Sequence, residues 1–222
     1  MRIKRVVDLS VPVGPRTVVY PGDPAPSFTV HSTITKDGFN LLDVHMGSQS
    51  GTHVDAPYHF EENTPRIDEV PLDRFVGPGV IIDATSLGAR MPITWDLIEP
   101  VSDKLGPGVI VLLHTGWSRH YGTPEYFDHP YLDSEACRRM LEAGVRTFCL
   151  DAINIDETPN DAHAGVGFPC HHLISTAHGV IGENFCNFDL IDFADPLVVC
   201  TPIKLEGADG APVRAAALQL GS

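Results

Sequence analysis

Positive charge is scarce in this chain. Against 29 Asp and Glu it has 15 Lys and Arg, a formal net charge of −14 at pH 7. That balance repels a phosphate backbone or an anionic leaflet, so neither nucleic acid nor a membrane surface is expected as a partner. Long apolar runs are missing as well. No stretch approaches the roughly 18 residues of a membrane span, and the basic start runs into Asp8 and two prolines before any signal-type apolar core. A cytoplasmic protein is expected. Cysteine is sparse and unpatterned: five residues, at 137, 149, 170, 186 and 200, form no Cys-x-x-Cys pair, and an odd number suits reduced core thiols better than a disulfide framework. Two catalytic signatures are also lacking. Gly47-Ser48-Gln49-Ser50-Gly51 does not have the Gly-x-Ser-x-Gly spacing of a serine-hydrolase elbow, and Gly165-Val166-Gly167 lacks the third glycine of a dinucleotide loop.

What the chain does have is a hydrophobic share of 43% over 222 residues, enough to bury a sizeable core, and residues 1–222 read as one domain without a linker or repeat. It also has eleven histidines, a heavy load of the side chain that both titrates near neutral pH and ligates metals. The first third reads as a half-buried antiparallel sheet, with a strand over 5–13, a turn at Pro21-Gly22-Asp23-Pro24 and a hairpin signal at Asp37-Gly38. Short apolar runs at 79–84, 108–114 and 146–152 read as buried strands. Between them, helices are expected from an N-cap at Thr94 through 104, and over 134–143 up to Gly144. This rhythm predicts βαβ crossovers and a mixed α/β fold. A short helix over 169–177, a strand over 180–185 and a turn at Asp209-Gly210 between two closing strands complete the reading.

The densest group of ligand-type side chains is Gln49-Ser50-Gly51-Thr52-His53-Val54-Asp55-Ala56-Pro57-Tyr58-His59-Phe60. Gly51 and Pro57 oppose a helix, and in an extended segment His53 and Asp55 project from one face, as two ligands on one ion must. A bend at Pro57 returns His59 toward the same pocket. The second group is Cys170-His171-His172 with Glu183 downstream. A short helix leading into a strand brings His171 and Glu183 to one point. Neighbouring helical residues point about 100° apart, so at most one of His171 and His172 faces a given ion. Imidazole and carboxylate together suit Zn²⁺ or Mn²⁺.

In this order the two groups resemble the cyclase-like metal-dependent hydrolase superfamily, which includes bacterial kynurenine formamidase. The resemblance rests on Gly51-Thr52-His53-x-Asp55-x-Pro57-x-His59-Phe60, on Tyr20-Pro21-Gly22-Asp23-Pro24, on His114-Thr115-Gly116-Trp117, and on His171 with Glu183 and Asn184. It implies a swivelling β/β/α single domain with a mixed sheet, assembled as a dimer or tetramer. It also implies metal ligation by His53, Asp55, His171 and Glu183, with His59 as catalytic acid or base. Hydrolysis of an amide or formamide of a small-molecule substrate follows, with N-formylkynurenine as the leading candidate. Tyr20, Phe39, Phe60 and Trp117 are the aromatic candidates for lining the substrate pocket.

One position departs from the formamidase pattern. Gln49 stands where that pattern has His, and a neutral amide oxygen is a weaker Zn²⁺ ligand than an imidazole. Gln49 is carried forward as a candidate ligand. The change keeps two alternatives open: hydrolysis of a cyclic lactone or of the isatin ring, and a non-catalytic protein that binds a metal or small molecule.

Overall fold

A computed structural model describes residues 2–165 and 167–221. In chain order its regular elements are β1 (Arg2–Asp8), β2 (Ser27–Ser32), α1 (Ile34–Asp37), β3 (Leu41–His45), β4 (His53–Asp55), β5 (Val76–Asp83), β6 (Pro92–Ile93) and α2 (Trp95–Ile98). There follow β7 (Ile110–His114), β8 (Tyr131–Leu132), α3 (Ser134–Glu142), β9 (Thr147–Leu150), α4 (Pro169–Thr176), β10 (Val180–Glu183), β11 (Leu197–Val199), β12 (Gly210–Pro212) and β13 (Ala216–Gly221). Nine strands form one sheet in the order β1-β13-β11-β5-β7-β9-β10-β4-β12. Its middle is parallel, β5 through β7 and β9 to β10, and the strands on both flanks are antiparallel. The fold is therefore mixed α/β, as the strand and helix rhythm predicts.

The parallel strands are largely apolar along their middles because helices or loops cover both faces there. Along β7 the period of two is visible directly. Val111 and Leu113 enter one core with Ile93, Tyr126, Met140 and Phe148, while Ile110 and Leu112 enter the opposite core with Leu9, Phe75, Phe185 and Val198.

Three expectations are corrected. The helix starting after Thr94 is α-helical only to Ile98 and continues as a 3-10 turn over Glu99–Lys104, because Pro100 has no N–H to donate. Helix α3 is capped by Asp133, whose carboxylate accepts from the backbone of Glu135 and Ala136. Asp209-Gly210 is not itself a turn between two strands: Gly210 opens β12, and β13 follows after a break at 213–215 in the same direction. The hairpin signalled by Asp37-Gly38 exists, with Gly38 in the left-handed conformation at φ 82° closing the single turn α1. It is not half-buried, however. Strands β2 and β3 pair only with each other, and Val30, Leu41, Leu42 and Val44 are exposed along them.

Candidate metal centre and active site

Three residues of β4 begin the site. Gly51, at φ 68°, turns the chain into the strand, and a Cβ there would lie 2.5 Å from Val13 Cγ2, so no other residue fits. Pro57 ends the extended segment and starts the one-turn 3-10 helix Pro57–His59. Within β4, His53 and Asp55 share a face and Val54 points to the core on the other side. Strand β10 lies antiparallel beside it, with Glu183 directly opposite His53, which places those two side chains on the same face. Helix α4 supplies His171 from above that face, its Pro169 in the first turn where a missing N–H is harmless.

The result is a buried square of two imidazoles and two carboxylates. His53 Nε2 lies 3.4 Å from Asp55 Oδ1 and 3.6 Å from Glu183 Oε2. His171 Nε2 lies 3.7 Å from Asp55 Oδ2 and 3.6 Å from Glu183 Oε1. All four residues are at most 6% exposed. Both rings are held by their far nitrogens: His53 Nδ1 donates to Gly51 O at 2.9 Å, and His171 Nδ1 donates to Asp156 Oδ2 at 2.8 Å. These partners only accept, so the protons sit on Nδ1 and each Nε2 faces the square. Glu183 Oε1 accepts from the Ile155 N–H at 2.9 Å, but neither oxygen of Asp55 has a hydrogen-bond donor.

A buried carboxylate with no donor is costly unless a cation meets it. The donor set here fits a divalent ion. Metal–ligand bonds of about 2.0–2.2 Å in a tetrahedron separate ligand atoms by roughly 3.3–3.6 Å, close to the spacings of the square. Two groups with metal-ligand spacing share Asp55: His53 with Glu183, and His59 with His171. In the metal-free chain protons balance the charge instead. Burial opposes the charged imidazole of His53, yet the carboxylates of Asp55 and Glu183 facing it outweigh that and raise the group to about 10. Burial would lift Asp55, but the positive charges of His59, His53 and His171 hold it below the usual carboxylate range.

His59 stands at the edge of the square, about a quarter exposed. Its Nδ1 contacts Asp209 Oδ2 at 2.9 Å. Ser48 Oγ donates to Asp209 Oδ1 at 2.8 Å, and Gln49 Nε2 donates to Asp209 Oδ2 at 2.9 Å. Burial disfavours a charged His59, but Asp55, Asp209 and Glu183 together raise it to about 9. Gln49 thus lies beside the square with its amide nitrogen engaged and its Oε1 buried without a donor.

A cavity of about 420 Å³ opens over this face. Val19, Tyr20, Phe60, Ile153 and Phe168 form apolar walls, and Asp23, Gln49, Asn154, Asn184 and Asp209 add polar groups. The Phe60 ring packs on His171 at a centroid distance of 4.3 Å. Of the four expected pocket aromatics, Tyr20 and Phe60 line the cavity. Phe39 does not, because it sits exposed at the hairpin tip, and Trp117 does not, because it packs in the core with Nε1 donating to Glu125 O at 3.0 Å. His172 turns outward to Glu61, as its helical position next to His171 requires. Sequence reasoning missed Asp209, taken as a turn residue. The Phe168 wall also went unnoticed, though it immediately precedes Pro169.

This fold and its buried imidazole–carboxylate square define a metal-dependent hydrolase. The chain belongs to the family described as "Putative cyclase", which it matches over residues 7–157, a stretch that includes His53, Asp55 and His59 but ends before His171 and Glu183. It is similar to the kynurenine formamidase of Bacillus cytotoxicus, 29% identical over 218 residues that cover 97% of this chain and 98% of that protein. Isatin hydrolase A from Ralstonia solanacearum has the same fold, with a TM-score of 0.86 at 24% identity, covering 97% of this chain and 92% of that one. A structure described as a potential metal-dependent hydrolase with cyclase activity superposes with a TM-score of 0.76 at 27% identity, covering 97% and 99%.

Proposed function

We propose that this protein hydrolyses an aryl amide, with N-formylkynurenine the leading substrate. The observation that carries this reading is the donor-free Asp55 carboxylate set between the Nε2 atoms of two imidazoles at the floor of an aromatic-walled cavity. His53, Asp55, His171 and Glu183 would hold a divalent ion, Zn²⁺ or Mn²⁺, and Gln49 Oε1 adds a neutral oxygen that suits the harder Mn²⁺. Such an ion, when bound, supplies Lewis acidity toward a carbonyl and lowers the pKa of water. The chain's own groups do the rest. Tyr20, Phe60 and Phe168 take the aryl ring and exclude bulk water. Asp55 and Glu183 favour the charged form of His59; with those carboxylates neutralised by a bound ion, the neutral ring would accept a proton from attacking water at Nε2 and return it to the leaving nitrogen as the C–N bond breaks.

A second reading, opening of the isatin ring, is favoured by Gln49 in the place of the formamidase histidine. Both substrates present an aryl nitrogen bonded to a carbonyl, so one assay pair separates them. Purified protein is expected to turn over N-formylkynurenine faster than isatin and to lose activity to a chelator. Hydrolysis that survives complete metal removal would refute the mechanism, and the opposite preference would refute the substrate. His59→Asn is expected to keep its metal and lose about 10²-fold or more in kcat. The protein is proposed to be cytoplasmic and a homo-oligomer, a dimer or tetramer. The assembly reading is supported by the hairpin β2–β3, since an isolated two-stranded ribbon with exposed Val30, Leu42 and Val44 is marginal on its own.

A further inference from the structure

Asp209 has no assigned part in the chemistry, yet three donors converge on its carboxylate: Ser48 Oγ at 2.8 Å, Gln49 Nε2 at 2.9 Å and His59 Nδ1 at 2.9 Å. We infer that Asp209 is the positioning residue of His59, fixing the Nδ1–H tautomer so that Nε2 is the nitrogen offered to substrate, an inference that rests on the hydrolase reading above. A carboxylate only accepts, which obliges His59 Nδ1 to carry the proton. Gln49 Nε2 also lies 3.4 Å from His59 Nδ1. Both are donors aimed at one oxygen, so this contact is their convergence on Asp209 and does not compete for the ring.

The backbone makes the arrangement rigid. Asp209 O accepts from the Ala56 N–H at 2.8 Å, and the next residue, Gly210, pairs with Asp55 in the β12–β4 ladder. The strand that carries two ligands is therefore zipped to the residue that aims His59. Gly210 lets the Gln49 amide lie flat against it. A Cβ there would stand 2.7 Å from Gln49 Nε2 and 2.7 Å from Val54 O. A histidine held by a half-buried carboxylate in this way is the oriented base of a nucleophile–base–acid triad, here serving water in place of a serine.

The test uses the zinc-loaded full chain. Asp209→Asn is expected to keep fold and metal content, leave KM for N-formylkynurenine within about threefold, and lower kcat by about 10²-fold or more. Asp209→Glu should recover part of that loss, and Ser48→Ala, which removes one donor from the carboxylate, should lower kcat by a smaller factor at unchanged KM. Nitrogen-15 spectra of labelled histidine, with His59 assigned by its loss in His59→Asn, should show an Nδ1–H tautomer that Asp209→Ala disturbs. Unchanged kcat, an unchanged tautomer, or loss of fold or metal in Asp209→Asn would each overturn the inference, the last by making the residue structural. The spectra need no substrate. A tautomer that depends on Asp209 in a protein without hydrolase activity would refute the hydrolase reading and leave the pairing standing.

Discussion

Asp156 gives the sharpest test of how the site is supported. Its carboxylate accepts from the Cys170 N–H at 2.9 Å, the His171 N–H at 3.0 Å and the His171 ring at 2.8 Å. It therefore both caps helix α4 and holds a proposed ligand. Asp156→Ala leaves two buried backbone donors without partners at about 1–3 kcal/mol each, so a destabilisation of roughly 2–6 kcal/mol is expected. That is a large part of a typical domain's stability. Asp156→Asn keeps one acceptor oxygen and should fold, but it cannot satisfy both the helix and the ring. Losing the partner of a ligating histidine weakens metal binding about 10–100-fold, or about 1.4–2.7 kcal/mol. Calorimetric titration of the metal-free variant with Zn²⁺ reads this directly. Urea unfolding with and without saturating metal reads it again, because the extra stability conferred by the ion must shrink by the same amount. Wild-type metal affinity in Asp156→Asn would refute the reasoning.

Three further outcomes are expected. In the metal-free chain His53 holds its proton up to about pH 10, so an entering ion must displace it and affinity should rise with pH below that value, about tenfold per unit at most. Titrations at pH 7 in buffers of different ionisation heat should register proton release, and none would sink the ligand assignment. Buried His129 donates to Pro130 O, accepts from Thr158, and is held down to about 4, chiefly by burial. Its folded value lies below its unfolded value, so its share of stability is present above about pH 6.5 and lost as pH falls toward 4, up to about 3 kcal/mol. Unfolding of wild type and His129→Gln across that window should differ in slope by up to one proton. Gly210→Ala should cost about 1–3 kcal/mol, the scale of an overpacked contact, and slow turnover by shifting Gln49. A variant with wild-type melting and kcat would contradict the tight contact.

The sequence made the ligand types legible and left their meeting point hidden. His53 and Asp55 could be paired because a period of two is a local property of extended chain. The step from His171 to Glu183 was readable for a similar reason, a short helix bounded by Pro169 and Gly179. Nothing local says that β4 inserts antiparallel between β10 and β12, since that order comes from which edges remain free once the parallel strands have packed. Asp209 was opaque for the same reason. An Asp before a Gly is the commonest turn signal, and only the β12–β4 ladder turns it into a neighbour of His59. Trp117 misled in the other direction, because a large aromatic beside a loop motif serves a core as readily as a pocket.

The four proposed ligands come from two stretches of chain more than a hundred residues apart. His53 and Asp55 leave the ribosome early, whereas His171 and Glu183 follow only after the central parallel strands have been made, and β12, which completes the pairing of β4, comes later still. At roughly 5–20 residues per second, many seconds separate the two pairs. Until then Asp55 has no ion to neutralise it and belongs to a strand without its neighbours. Capture of an ion would thereby wait until both pairs have been made, and a product truncated before His171 would carry only half of the proposed site.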